Sequence, residues 1–420
     1  MSCPQEIGCS TGTPKAGSLP MRRAHRPDRQ SSPRYRRPRR ATVSSKAPAS
    51  EGVPVTSVDG LREQVAAAPP QTSGQQARTP RSRWALRLIV RRLLILPPSL
   101  FILVTLSFGL IELIPGNPAV AIAGSGATHA EVQRISTQLG LDRPLAERYL
   151  DYLGDTVRGD LGKSYFSGQS VATELRHRMP ATLELIVLGL ALASGIGLGL
   201  GTLMAYRARG FAARLSNWLT SVLQSAPDFL LGLLLIYLVF FKLGWVPSPV
   251  GQLGLADESV APKTGFMLVD TLLAGRAGLF ASHVQHLVLP VVTLGLVYGA
   301  FMARLTESLL SKALRAPQVE FARACGLRER DVLRYAVLDV RGALLTYVAI
   351  LFGTLIGGAS ILDRLFSWQG AGAWALDGIL KLDAPVIQGF ILAAGALTIL
   401  AYLACDVAST LLDPRVRDDR

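Results

Sequence analysis

The sequence predicts an all-α polytopic membrane protein with six transmembrane helices. Three observations lead there. Of 420 residues, 49% are hydrophobic and 18% are charged, with a mean hydropathy of +0.33, where a soluble domain carries about 25% charge. The charge is uneven: residues 1–92 hold 18 of the 44 Lys and Arg but 5 of the 30 Asp and Glu, so they carry +13 of the net +14. The rest of the chain is nearly neutral and contains six long apolar runs. The pI near 10.0 therefore belongs to the tail and does not mark a nucleic-acid-binding fold. The same balance disfavours a secreted disulfide scaffold, a disordered protein and most cytosolic enzymes.

Residues 1–80 are rich in Pro, Ser, Gln, Ala and Arg and contain the run Arg34-Tyr35-Arg36-Arg37-Pro38-Arg39-Arg40. Such a segment buries too little apolar surface to offset its ordering entropy, so it is expected to be a disordered, basic, cytoplasmic tail. Two readings of it stand: an arm drawn to anionic inner-leaflet lipid, or an unstructured extension, even one from a misplaced start codon. It is a poor signal peptide, since no apolar stretch closely follows Met1 or Met21.

Residues 81–417 are read as the transmembrane domain, with 418–420 as the C-terminal end. The apolar runs are Leu93–Ile114, Thr182–Tyr206, Trp218–Phe241, Val284–Ala303, Ala343–Leu362 and Val386–Ala404. About 20 helical residues cross a ~30 Å hydrocarbon core. Backbone polar groups in lipid must be satisfied within the segment, so each run is expected to be a helix. Pro97-Pro98 and Glu112 interrupt the first run, and the third contains Pro227 and Asp228. Gly195, Gly197, Gly199 and Gly201 in the second run and Gly353 and Gly357 in the fifth suit close helix packing.

Orientation follows from the basic residues. The link after the second run has Arg207, Arg209 and Arg214 and no acid, and residues 304–341 hold eight Lys and Arg. Residues 242–285 have only Lys242, Lys263 and Arg276. The positive-inside rule then puts both termini in the cytoplasm. Residues 115–180 are expected to be an extracytoplasmic loop, because their basic residues are balanced by acids and long loops cross regardless of charge.

Recognisable catalytic chemistry is absent from the sequence. Gly162-Lys163-Ser164 ends like a phosphate loop, but Val157 stands where its first glycine belongs. Cys3, Cys9, Cys325 and Cys405 form no CxxC pair, and His283 and His286 lack an obvious third ligand, so no metal site is assigned. No cofactor is assigned to this chain, and any ATP-driven step would need another subunit. Asp228 is the one acid deep in a run. It reads either as a residue lining a translocation path or as the start of a helix behind Pro227.

The segment between the fourth and fifth runs, residues 304–341, is expected to form a cytoplasmic helix–turn–helix elbow. Pro317 suits the first turn of a helix, where Glu320 favours the dipole. Gly326 suits its end, and a second short helix can begin near Arg328. Phe321 and the small residues around it suit insertion into a partner's groove. The bland reading is an amphipathic helix lying on the bilayer.

At this elbow the sequence resembles the permease subunits of bacterial ATP-binding-cassette importers, whose signature is Glu-Ala-Ala, three residues, then Gly. Glu320, Phe321, Ala322 and Gly326 stand at those positions, with Phe for the first Ala. The resemblance is closest to the dipeptide/oligopeptide/nickel branch. Further motifs in the same order support it: Ile114-Pro115-Gly116-Asn117-Pro118, Leu139-Gly140-Leu141-Asp142-Arg143-Pro144-Leu145, Arg158-Gly159-Asp160-Leu161-Gly162, Met179-Pro180-Ala181-Thr182-Leu183-Glu184-Leu185, Phe366-Ser367-Trp368 and Leu412-Asp413-Pro414-Arg415-Val416-Arg417. The departures are Gln369, where the branch often has Pro, the lack of proline in 340–348, and Asp228 in place of a small polar residue.

The resemblance implies a type I importer permease bundle in the bacterial inner membrane, and not an enzyme. It implies a second, homologous permease subunit, two ATPase subunits that use ATP and Mg, and an extracytoplasmic substrate-binding protein. The elbow residues Glu320, Phe321, Ala322, Arg323, Ala324, Gly326 and Leu327 would couple to the ATPases. Glu320 would help fix the elbow, Gly326 would allow the turn, and Phe321 and Ala322 would fill the ATPase groove. The cargo would be peptides or similar solutes. The alternative is a self-sufficient ion-coupled transporter, which predicts inverted repeats, broken helices and intramembrane ion ligands. A polytopic membrane enzyme would need clustered His, Asp and Ser at one face, which the sequence lacks.

Overall fold

The computed structural model describes residues 94–412 apart from 115, 125, 208, 209, 255 and 259. The basic tail 1–80 and the segment 413–420 lie outside the described residues. Thirteen α-helices are described, with no strand among the described residues beyond one isolated antiparallel bridge, Lys163 to Ser170.

Helix α1 spans Leu96–Leu113. Pro97 and Pro98 fall in its first turn, where missing N–H groups cost nothing, so they start the helix rather than interrupt it. Three short helices follow: α2 (Pro118–Ala123), α3 (His129–Gln138) and α4 (Leu145–Val157). The second apolar run becomes α5, Val171–Tyr206. At 1.5 Å per residue its 36 residues extend well past a ~30 Å core.

The third run is not one helix. It splits into α6 (Phe211–Ser225) and α7 (Asp228–Leu235), the latter continuing as a π-helical stretch, Ile236–Lys242. The two halves meet at 106°. Pro227 cannot donate, and it drives the residue before it out of the helical region. Ala226 accordingly has φ −94° and ψ 138°, and Pro227 itself is extended.

After α8 (Met267–Leu273) come α9 (Ala277–Ala313), α10 (Pro317–Ala324), α11 (Glu329–Leu365), α12 (Ala371–Lys381) and α13 (Ala384–Leu412). Five helices, α1, α5, α9, α11 and α13, are each long and apolar enough to cross a membrane, and the bent pair α6–α7 makes up to six. The chain is an all-α polytopic membrane protein.

The core is built on α5 and α9, which run parallel. Gly189, Gly197 and Gly201 of α5 face Leu294, Met302 and Thr306 of α9 at a constant offset. A Cβ on Gly197 would lie 2.4 Å from Met302 Cβ. Gly295 and Gly299 of α9 return the contact against Leu192 and Ile196. The spacing of eight and four keeps the α5 glycines on one stripe. Gly195 and Gly199, expected to share this role, have no neighbour within 4 Å of a would-be Cβ. In α11 Gly353 packs on Thr398 while Gly357 is open.

Helix α11 packs beside this pair through Leu344, Leu351, Leu355 and Leu362. Helix α13 packs against α11 and α1, with Leu103 of α1 seated over Gly395. The bundle has two ends. One, the loop end, carries residues 114–170, 243–276 and 366–383. The other, the elbow end, carries 207–210 and 314–328.

Candidate functional site

The elbow is built around one buried side chain. Val319, on the first turn of α10, is 1% exposed and packs with Leu310 and Ala313 of α9, with Leu314 just beyond its end, and with Val332 and Ala336 of α11. Pro317 sits at the start of α10 and leaves Ala316 extended at its N-cap. Arg323 ties the far end down: its Nε donates to Glu329 Oε1 at 3.3 Å and its Nη1 to the Leu314 carbonyl at 3.4 Å. Tyr206 of α5 donates to the other Glu329 oxygen at 3.5 Å.

Gly326 has φ +79°, with open space where a Cβ would stand. Its glycine therefore serves the left-handed backbone and not close packing. The paired closing bonds run from Gly326 N to Arg323 O at 2.9 Å and from Leu327 N to Ala322 O at 3.2 Å, which satisfies the last carbonyls of α10. The expected second short helix near Arg328 is instead the start of α11, continuous over 37 residues into the bundle. No proline in 340–348 interrupts it. Helix α11 therefore runs unbroken from the elbow into the bundle.

Glu320, Phe321, Ala324, Gly326 and Leu327 are exposed, and Ala322 is half-buried. Phe321 is 71% and Leu327 46% exposed, so a large apolar surface stands out from a charged segment. Glu320 lies in the first turn of α10; its N–H donates to the Ala316 carbonyl at 3.2 Å, and its carboxylate makes no hydrogen bond among the described residues. The contacts that tie the elbow down are made by Val319 and Arg323. The sequence signal for Val319 was weak: one valine between Gln318 and Glu320.

Asp228 stands at the start of α7, directly behind the break. It is half-buried, its Oδ1 accepts Phe229 N–H at 2.8 Å, and Tyr298 OH of α9 points at its Oδ2 from 3.5 Å. The structure does not bring it together with the elbow residues, which sit at the elbow end of α9 and α11.

At the loop end, α1 is held to the 115–180 segment by Glu112 to Arg148 of α4 at 2.6 Å and by the hydroxyl pair Ser107–Tyr152 at 3.0 Å. Phe108 packs on the rings of Tyr149 and Tyr152. Thr128 and Glu131 form a capping box on α3. The Leu139–Leu145 motif is organised by Asp142, which accepts Thr137 and Ser136 hydroxyls at 2.6 and 2.9 Å. Those bonds hold its carboxyl below the usual range, the Thr137 hydroxyl first. Ser164 donates to Asp383 at 2.6 Å, tying the segment to the turn before α13.

A second loop-end cluster was not legible as a site. Phe366 and Trp368 are fully buried. Trp368 Nε1 donates to the Ala181 carbonyl at 3.1 Å, and Asp363 accepts Gly370 and Ala373 N–H at 2.9 and 3.0 Å. Ser367 and Gln369 have φ of 49° and 60°. Proline is locked near −65°, so the departure at Gln369 is built into the backbone of this turn. His283 is buried against Glu184, away from any third ligand, and no group that could hold a metal occurs among the described residues.

Comparison with known proteins agrees with this architecture. Residues 197–418 match the family model described as binding-protein-dependent transport system inner membrane component, and residues 85–186 match its N-terminal counterpart. The chain is 38% identical over 340 residues to the di/tripeptide transport system permease protein of Pseudomonas aeruginosa, covering 80% of this chain and 100% of that one. It is 34% identical over 336 residues to the dipeptide transport system permease protein of Escherichia coli, covering 79% and 99%. It is 32% identical over 333 residues to the glutathione transport system permease protein of Escherichia coli, again 79% and 99%.

Proposed function

The chain belongs to the family of binding-protein-dependent transport system inner membrane components, and from that premise we propose that it forms half of an ATP-driven path for short peptides. As a multi-pass inner-membrane permease subunit of an ATP-binding-cassette importer of the dipeptide/oligopeptide branch, it supplies the path and not the energy. ATP and Mg are handled by two separate ATPase subunits, and the chain itself catalyses nothing. A second, homologous permease completes the path, and a binding protein delivers cargo to the 115–180 loop. The elbow end faces the cytoplasm, as the basic residues around it favour. The peptide reading rests on the names of the relatives, which are permeases of di/tripeptide, dipeptide and glutathione transport systems.

The observation that carries the coupling reading is the exposed Phe321–Leu327 pair on an elbow anchored by Val319 and continuous with α11. ATP drives transport only by favouring one of two states of the path. A rigid α11 lets closure of the ATPases bias the whole bundle through that pair. The ion-coupled alternative gains one broken helix at Pro227, but family membership does not favour it. Asp228 is proposed as a path residue, on the strength of its place at that break beside Tyr298.

The test is co-purification of the solubilised complex. Phe321→Ala removes an exposed aromatic anchor and is expected to weaken ATPase binding about tenfold or more. Gly326→Pro and Glu320→Lys are expected to abolish co-purification. ATPase binding unchanged in Phe321→Ala, with the protein still inserted, sinks the docking assignment. Uptake of a labelled dipeptide by the assembled complex checks the cargo.

A further inference from the structure

Helix α4, in the loop between the first two spans, is amphipathic, yet none of its residues is buried. Ala146, Leu150, Leu153 and Val157 recur at i, i+4, i+7 and i+11 and so share one edge. Leu150 is 64% and Val157 81% exposed. Glu147, Asp151 and Asp155 recur every four residues along the other side. There Arg143 pairs with Asp151 at 2.7 Å. Arg148, Asp151 and Asp155, with Asp160 and Lys163 from the following loop, line a polar cavity of about 380 Å³. The helix therefore has a wet edge and an apolar edge, and nothing among the described residues seals the apolar one.

The contacts of α4 with α1 fix its height in the membrane. Helix α1 has 18 residues, which at 1.5 Å each come to about 27 Å, no more than the ~30 Å hydrocarbon core. The Tyr149 hydroxyl pairs with Thr105 Oγ1 at 2.8 Å, and that of Tyr152 with Ser107 Oγ at 3.0 Å. Thr105 is the tenth residue of the eighteen, so the tyrosines of α4 reach down to the middle of the span. Arg148 meets Glu112 near the end of α1. Tyrosine with its body in hydrocarbon and its hydroxyl on a polar partner is an interfacial residue. One turn further in, Phe101 lies on the same stripe of α1 as Thr105 and is exposed. The surface directly below the α4 contact is thus bare, apolar and part of a membrane span.

We propose that α4 is an in-plane membrane helix whose Leu150–Val157 edge is embedded among the acyl chains of the loop-end leaflet. Its apolar edge continues the bare surface of α1, which is what selects lipid as the occupant. Three acids against one Arg within α4 leave it no attraction to anionic headgroups, so the contact is made by the chains. The loop between the first two spans is then seated on the leaflet at a fixed height, with its polar cavity turned to water. This inference rests on the chain being a membrane protein and on neither cargo nor partner.

The test places a nitroxide on single cysteines in the full chain, with Cys3, Cys9, Cys325 and Cys405 replaced by Ser and with its co-purifying subunits, in lipid nanodiscs. Leu150→Cys and Val157→Cys probe the apolar edge, and Glu147→Cys and Asp155→Cys the wet one. Collision with oxygen, which concentrates in hydrocarbon, is compared with collision with a neutral nickel chelate, which stays in water. The oxygen-to-nickel ratio is expected to be several-fold higher at 150 and 157 than at 147 and 155. Two probes on each edge keep the comparison readable if one variant fails to insert. Equal ratios on both edges, with nickel reaching 150 and 157, would put the helix in water and overturn the proposal. Sites 150 and 157 closed to both reagents would mean that protein covers the edge, which overturns it equally. Loss of the ATPases from the complex would strike the transport reading and leave these ratios unchanged.

Discussion

Val319 and Phe321 stand two positions apart in α10, which on a helix places them on nearly opposite sides. Val319 is sealed between α9 and α11, and Phe321 faces away. Their substitutions should therefore separate. Val319→Asp puts an unpaired carboxylate into an apolar cluster, at a cost of several kcal/mol. Limited proteolysis is expected to cut that variant within 315–328 and to leave Phe321→Ala as resistant as the wild type. Equal cutting of the two would mean that Val319 does not hold the elbow. The glutamate of the signature was legible in the sequence, whereas the valine before it was not. Burial depends on what α9 and α11 bring to the same place, and a single valine carries no periodicity that announces it.

Packing of α5 on α9 shows how the same residue type acquires different roles within one helix. Four glycines lie at 195, 197, 199 and 201, and the structure uses the second and fourth. Helical geometry turns each residue by about 100°, so alternate glycines split between faces. Gly201→Leu would drive a side chain into Thr306 and the Ala303 carbonyl, which lie 2.5 and 2.6 Å from a would-be Cβ. Overpacking of that kind costs about 1–3 kcal/mol, and the melting temperature of the solubilised protein should fall by several degrees. Gly195→Ala meets nothing and is expected to melt like the wild type. Prolines divide in the same way. Pro180 and Pro290 lie inside α5 and α9 without ending them, whereas Pro227 breaks α6 from α7. The extensively packed α5–α9 pair holds its course through a missing hydrogen bond. Helices α6 and α7 expose Leu215, Trp218, Val222, Leu230 and Leu234 and have less to hold them straight.

Across the whole molecule the basic residues, the elbow and the long loop together define a direction. Cys325 is exposed at the elbow end and offers a native probe of it. In a variant with Cys3, Cys9 and Cys405 replaced by Ser, a membrane-impermeant maleimide is expected to label Cys325 in inside-out vesicles and to leave it unlabelled in intact cells. Labelling from outside would reverse the orientation and remove the elbow from any cytoplasmic ATPase.

By itself the sequence determined the class and the place of the elbow, and its six apolar runs correspond to five spans, or six if the bent pair counts as one. These rest on local quantities: a run of about 20 apolar residues satisfies its backbone as helix in lipid where no internal proline breaks it, and Pro317 and Gly326 delimit α10 through their own backbone preferences. Tertiary structure alone decided which glycines touch, that the third run bends by 106°, and that the arm after the elbow is one rod with the fifth span. It also brought Glu184, Gln252, His283 and Trp368 into one hydrogen-bonded cluster. Those residues are separated by up to 184 positions, and no pattern within a window links them. A buried hydrogen bond exists only where the fold has removed water from both partners, and only the assembled bundle does that.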